Sequence, residues 1–196
     1  MKPSNAINDF AGVLLEKSPH SKAIVLYSKV SEHLHAVARS GVGARTFARR
    51  LFVDFDATMP LPHRFPLQQI ALMSDLQLAA LSWMMQAAHL RGVGAEHGHA
   101  RVRTLSQDQF LVRKADTLHA LGGFFELSAD KDFWESVVSG PVFGAHAKRP
   151  GEAFDADKQA ALRAAHANEV DSVMQWAERY RASANVNIDL GDPLLG

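Results

Sequence analysis

The sequence predicts an all-α protein, an irregular multi-helix bundle around one buried central helix at about residues 75–91, and three observations carry that prediction. From Leu76 to Leu90 the chain is apolar on almost every side, leaving a narrow polar stripe of Asp75, Ser82, Gln86 and His89. A helix of this kind is normally the centre of a helical domain, so the remaining chain has to coat it. Helix caps and stops recur along the sequence while strand signals are scarce. Finally, 196 residues suffice to bury a core without covalent staples, which fits one helical domain over 1–196.

Taken in order, Asn5 through Lys17 places Ile7, Phe10, Ala11 and Leu14 at helical spacing. Ser18-Pro19 then reads as a cap followed by proline at the first helical position. From there Ala23, Ile24, Tyr27, Val30, Leu34 and Val37 form an apolar stripe ending at Gly41 and Gly43. Ala23–Tyr27 alone reads as a strand, but the continuing three-and-four spacing favours a second helix. Residues 44–55 read as a short basic amphipathic helix with Phe47, Leu51 and Phe55 on one side. Pro60, Pro62 and Pro66 interrupt the pattern, so 56–66 is a proline-rich connector and the candidate boundary of an N-terminal subdomain over 1–55.

Pro66 opens a short helix through Ile70 and Ala71, and Ser74 is positioned to cap the central helix, which Gly92-Val93-Gly94 ends. Ser106-Gln107-Asp108-Gln109 has the pattern of a capping box before Phe110, Leu111, Leu118 and Leu121. Ser128 is expected to cap a segment holding Phe133, Trp134, Val137 and Val138, closed by Gly140-Pro141. Residues 142–154 read as irregular, and Asp155 opens the longest expected helix, to about Ala182. The tail at Asn185–Leu190 alternates like a strand without an obvious mate, and an extended or disordered end over 183–196 is expected.

The chain has no cysteine, which excludes disulfides, thiolate metal sites and a cysteine nucleophile and fits a reducing compartment. The start lacks a secretory pattern and no apolar run is long enough for a membrane span, so a cytoplasmic protein without membrane insertion is expected. The zero formal charge hides an asymmetry: residues 39–114 carry a net +5 and residues 115–196 a net −6. Such opposed regions can steer a partner or pair two surfaces of one protein; the plainer reading is that each solvates a different face.

Several patterns bear on chemistry. His33 and His35 lie two apart in an expected helix, pointing away from each other, so they form no chelate. His97-Gly98-His99 reads as a loop, where both imidazoles can reach one metal with Glu96 or Asp108 as a third ligand; the competing reading is an exposed polar turn. His89 and His119 read as core or rim imidazoles. Gly41-Val42-Gly43-Ala44-Arg45 lacks the Lys-Ser/Thr ending of a phosphate cradle and reads as a helix stop. Arg45, Arg49 and Arg50 with Phe47 and Phe52 make a candidate nucleic-acid face, which the overall neutrality disfavours. Phe124-Phe125 and Phe133-Trp134 make a dense aromatic patch, most of it expected in the core, with any exposed remainder suited to a protein partner.

Leu61-Pro62-His63 before a short helix, the run Leu76-Gln77-Leu78-Ala79-Ala80-Leu81-Ser82-Trp83, and Arg101-Val102-Arg103-Thr104-Leu105-Ser106 leading into Leu118-His119-Ala120-Leu121 resemble the cytoplasmic accessory proteins of the type III secretion sorting platform. The Pro-His element follows some sixty residues of chain, whereas that family carries it near its start. The resemblance implies an adaptor linking a membrane ring to a cytoplasmic ring, with no catalytic residues. The lack of a convincing catalytic set, the opposed charges and the helical content favour a non-catalytic helical adaptor, and no cofactor is expected. Arg45, Arg49 and Arg50 would meet an acidic partner, and Phe133 and Trp134 would supply the anchors. The alternatives are a metal protein or enzyme using His97 and His99, and a nucleic-acid-binding regulator using Arg45–Arg50.

Overall fold

The computed structural model describes residues 5–143 and 155–195, so most of the irregular stretch expected at 142–154 lies outside the described residues. A 3-10 segment, Asn5–Phe10, leads into α1 (Ala11–Lys17), followed by β1 (Ala23–Tyr27), α2 (Val30–Arg39), α3 (Gly41–Thr58) and α4 (Leu67–Leu72). The central helix is α5 (Asp75–His97), and β2 (Val102–Ser106), α6 (Gln107–Val112), α7 (Lys114–Phe124) and α8 (Lys131–Ser139) follow it. A 3-10 turn at Pro141–Phe143, α9 (Ala156–Ala165) and α10 (Ala167–Ser183) complete the described elements. The fold is a mostly α-helical bundle with one small parallel sheet.

Helix α5 is the buried centre its composition demands. Leu76, Leu78, Ala79, Ala80 and Leu81 have no exposed surface, and α2, α3 and α10 pack around them. Its start is set locally: Ser74 accepts from the Gln77 N–H and the Gln77 side chain accepts from the Ser74 N–H, a complete capping box. Its end lies beyond the expected Gly92–Gly94. The interior glycines are tolerated because α5 packs here on β2, with the Gly94 Cα side facing Val102, and the helix stops at Gly98, where φ is +76°.

The same core runs through α3, the proline-rich connector and α10. Met59 and Leu61 are buried, Phe65 packs on Trp176 and Tyr180, and the Tyr180 hydroxyl donates to the His63 carbonyl at 2.8 Å. Burial, with the nearby Asp56 charge adding to it, raises the Tyr180 phenol to about 12, so it keeps its proton and its bond.

The sheet corrects the sequence reading at three places. Ala23–Tyr27 is a strand, paired in parallel with β2 from Ala23 beside Val102 to Tyr27 beside Ser106. Helix α2 starts only at Val30. The run of β-branched and bulky residues prevails because a matching strand waits far along the chain, a partner that local periodicity does not register. The tail is ordered and has a mate. The Thr104 N–H donates to the Asp192 carbonyl at 2.9 Å, the Thr104 carbonyl accepts from Leu194 at 2.8 Å, and its hydroxyl donates to Gly191 at 2.6 Å. Val186, Leu190 and Leu195 are buried along it.

Several helix details also differ. The basic helix runs from Gly41, not 44, and its buried face is Ala48, Leu51, Phe52 and Phe55, leaving Phe47 outward. In the first segment Leu15 faces inward with Ala11, while Phe10, Val13 and Leu14 are exposed. Ser106 precedes α6 but makes no capping bond, and Asp130 rather than Ser128 caps α8 by accepting from the Phe133 N–H at 2.8 Å. The long C-terminal helix is broken at His166 into α9 and α10, with Asp155 capping α9 as expected.

Candidate interaction surface

The basic residues of α3 are placed in three different environments. Arg45 makes a two-pronged ion pair with Glu169 of α10, both bonds 2.8 Å long. The Arg45 guanidinium holds the Glu169 carboxyl below its usual range. Arg49 donates from Nε to Asp75 at 2.8 Å and from Nη2 to the Met73 carbonyl at 2.9 Å, fastening α3 to the first turn of α5. Arg50 faces solvent, 81% exposed at its side chain, and among the described residues it makes only a loose contact to Asp54. Opposed charges from the basic and acidic regions thus meet inside one molecule at Arg45–Glu169, whereas the Arg163–Glu32 pair between α9 and α2 takes its base from the acidic region and its acid from outside both. Arg50 is the member of the trio left free to meet a partner.

Helices α6, α7 and α8 form an arm beside the core. No large apolar side chain of α6, α7 or α8 is buried among the described residues. Trp134 is half-buried because its indole lies against Gly122: a Cβ there would sit 2.8 Å from Trp134 Cζ2. Phe133 packs edge-on against Trp134 yet is 51% exposed, and Leu111, Val112, Phe125 and Leu127 are exposed on the same arm. The two expected anchors are therefore adjacent but unequal: Trp134 is a packing residue and Phe133 an outward one. A groove of about 410 Å³ opens beside them, lined by His119, Lys131, Trp134, Glu135 and Leu195 among others.

The histidines are dispersed. His97 lies in the last turn of α5, where its Nδ1 is 3.4 Å from an Arg101 guanidinium nitrogen, and His99 is in an exposed turn. A guanidinium beside an imidazole opposes a cation there. Among the described residues no three histidine or carboxylate groups converge as metal ligands. His33, His35 and His89 are held below their usual range chiefly by burial. His33 lines a small cavity of about 160 Å³ between β1, the first segment and α5, with Trp83, Gln86 and Leu90. This volume is well under the roughly 300 Å³ at which small-molecule sites begin.

No family model, curated protein or solved structure matches the chain. No helix among the described residues is long and apolar enough to cross a membrane.

The sequence marks the aromatic patch but reads most of it as core, whereas Phe125 and Phe133 are exposed and Phe124 and Trp134 half-buried, and it misses how much of the first segment is outward. Ile7, Phe10 and Leu14 of the expected apolar stripe are exposed, as is Val13 beside them. The signal that separates the faces is Ala11 and Gly12 beside Leu15, small residues that let α1 approach Val93 of α5.

Proposed function

We propose that the protein is a non-catalytic helical adaptor that works by docking onto other proteins, and that it serves in the cytoplasm as an accessory component of a bacterial type III secretion sorting platform. The observation that supports docking is the α6–α8 arm: Phe133, Leu127, Phe125, Leu111 and Val112 stand outward beside a core that is otherwise densely packed. Clustered exposed aromatic and aliphatic side chains mark protein partners, with an aromatic anchor contributing most of the binding energy. Phe133 is that anchor, held in place by Trp134 and Gly122 behind it. Arg50 adds a solvent-facing cation for an acidic rim. The secretion assignment rests on the sequence resemblance at Leu61-Pro62-His63 and Leu76–Trp83.

The test is a pull-down of the full chain with separately purified cytoplasmic-ring and membrane-ring components. Binding that Phe133→Ala weakens at least about tenfold, with circular dichroism unchanged, supports the reading. Binding that survives both Phe133→Ala and Arg50→Glu moves the surface elsewhere, and failure to bind either ring component removes the secretion assignment.

A further inference from the structure

The small sheet has one finished edge and one open edge. Its order is β1, β2 and then the segment at Pro193, all running in the same direction. Strand β2 is paired on both sides, because Thr104 bonds to Asp192 and Leu194 while β1 lies opposite. Among the described residues strand β1 pairs with β2 alone. The bond from the Ala23 N–H to the Arg101 carbonyl, 2.8 Å, fixes its phase: Ala23, Val25 and Tyr27 turn their backbone groups toward β2, so Ile24 and Leu26 turn theirs outward.

An open edge is normally blunted by a charge, a proline or a bulge. The Ala-Ile-Val-Leu-Tyr of β1 contains none of these, and Leu26 is 53% exposed. The two flanking lysines, which would be the natural guards, are drawn elsewhere. Lys22 reaches the Phe124 carbonyl and the Glu126 carboxylate, and Lys29 pairs with Asp108.

We infer that this edge is a self-association surface, on which a second copy of the chain lays its own β1 antiparallel about a two-fold axis through Val25. The register itself selects this occupant. Centred on Val25, Ile24 of one copy lies opposite Leu26 of the other, so outward backbone groups meet outward backbone groups and four hydrogen bonds close. Lys22 then lies opposite Ser28, and Lys29 opposite Ser21, with no like charges facing. Centring on Ile24 instead sets Lys22 against Leu26, and centring on Leu26 sets it against Val30. The side chains agree: Leu26 sits beside the buried Leu105 of β2 on one sheet face, and Ile24 of the second copy continues that apolar row.

The experiment is sedimentation equilibrium of the full chain across a wide range of concentrations, with backbone amide hydrogen exchange on the same samples. The expected result is a reversible monomer–dimer equilibrium in which the Ile24 and Leu26 amides become protected as concentration rises. The Ala23, Val25 and Tyr27 amides, already bonded to β2, are expected to stay equally protected throughout. Leu26→Pro removes only an outward N–H, which proline tolerates at an edge, and acts twice across the axis. It should weaken self-association by about tenfold or more. Leu26→Lys keeps the backbone, puts a charge opposite Ile24, and serves if the proline variant loses its helical spectrum. A monomer at every concentration, exchange at Ile24 and Leu26 that ignores concentration, or a dimer indifferent to Leu26→Lys each overturns the inference.

Discussion

Replacing Leu78 by alanine tests whether α5 is the packed centre of the protein. Leu78 has no exposed surface and belongs to the cluster that includes Leu34, Phe55 and Val170. Truncation to alanine deletes three carbon atoms from a site walled by other helices, where little collapse is possible. Lost transfer energy and the residual cavity together cost about 3–4 kcal/mol. At this chain length each kcal/mol lowers the melting temperature by about 2–4 °C, so a fall of roughly 6–16 °C is expected. Thermal and urea denaturation followed by circular dichroism measure it. Leu72→Ala is the control, since Leu72 of α4 is 87% exposed, and it should stay within about 0.5 kcal/mol of the parent. A Leu78→Ala cost below about 1 kcal/mol, or one equal to that of Leu72→Ala, would refute the packed-centre argument.

Other outcomes follow from the arm, the ion pairs and the buried imidazoles. Gly122→Ala should displace the Trp134 indole and change its fluorescence and near-ultraviolet dichroism; the roughly 1 kcal/mol gained in helix propensity offsets part of an overpacking cost of about 1–3 kcal/mol. Arg45→Gln and Arg49→Gln should each cost no more than about 1 kcal/mol, shrinking as salt is added, because both pairs are partly exposed; Arg50→Gln should cost nothing measurable in a denaturation curve. His33, His35 and His89 all have folded-state values lowered from 6.5 by burial, so the unfolded chain binds their protons more readily. Stability should therefore be full above about pH 6.5 and decline as pH falls below it, with a further loss below about 4.5 as Glu32 and Glu169, whose values are also lowered, take up protons. Melting temperatures across that range check the order, and a stability that rises between pH 7 and 5.5 would contradict it.

Features encoded within a few residues of one another were legible in the chain. The apolar wrap of Leu76–Leu90, the Ser74 cap and the Asp155 cap each depend on neighbours at short spacing, and each appears as read. Features whose cause lies far away were not. Ala23–Tyr27 is a strand because Val102–Ser106 returns beside it, and the tail is held because Thr104 bonds to Gly191, Asp192 and Leu194 while Val186, Leu190 and Leu195 are buried. Gly92 and Gly94 looked like a stop because local propensity disfavours glycine, yet packing on β2 carries the helix to His97. The surface was legible in composition but not in detail. Arg45, Arg49 and Arg50 read as one basic face, and nothing near them in sequence tells that Glu169 and Asp75 take the first two. Phe133 and Trp134 are neighbours in the chain, and only the closeness of Gly122 decides which of them turns outward.

The pairing of Thr104 with Asp192 and Leu194 has a consequence for biogenesis. During synthesis β2 leaves the ribosome long before the segment that completes its far side, and contacts of such high sequence separation form late. Throughout that interval the nascent sheet carries raw margins on both flanks rather than one, which is the condition under which chains misassociate. A chaperone or cognate protein that shields the ribbon until Pro193 arrives would raise the yield of native protein without altering its final stability.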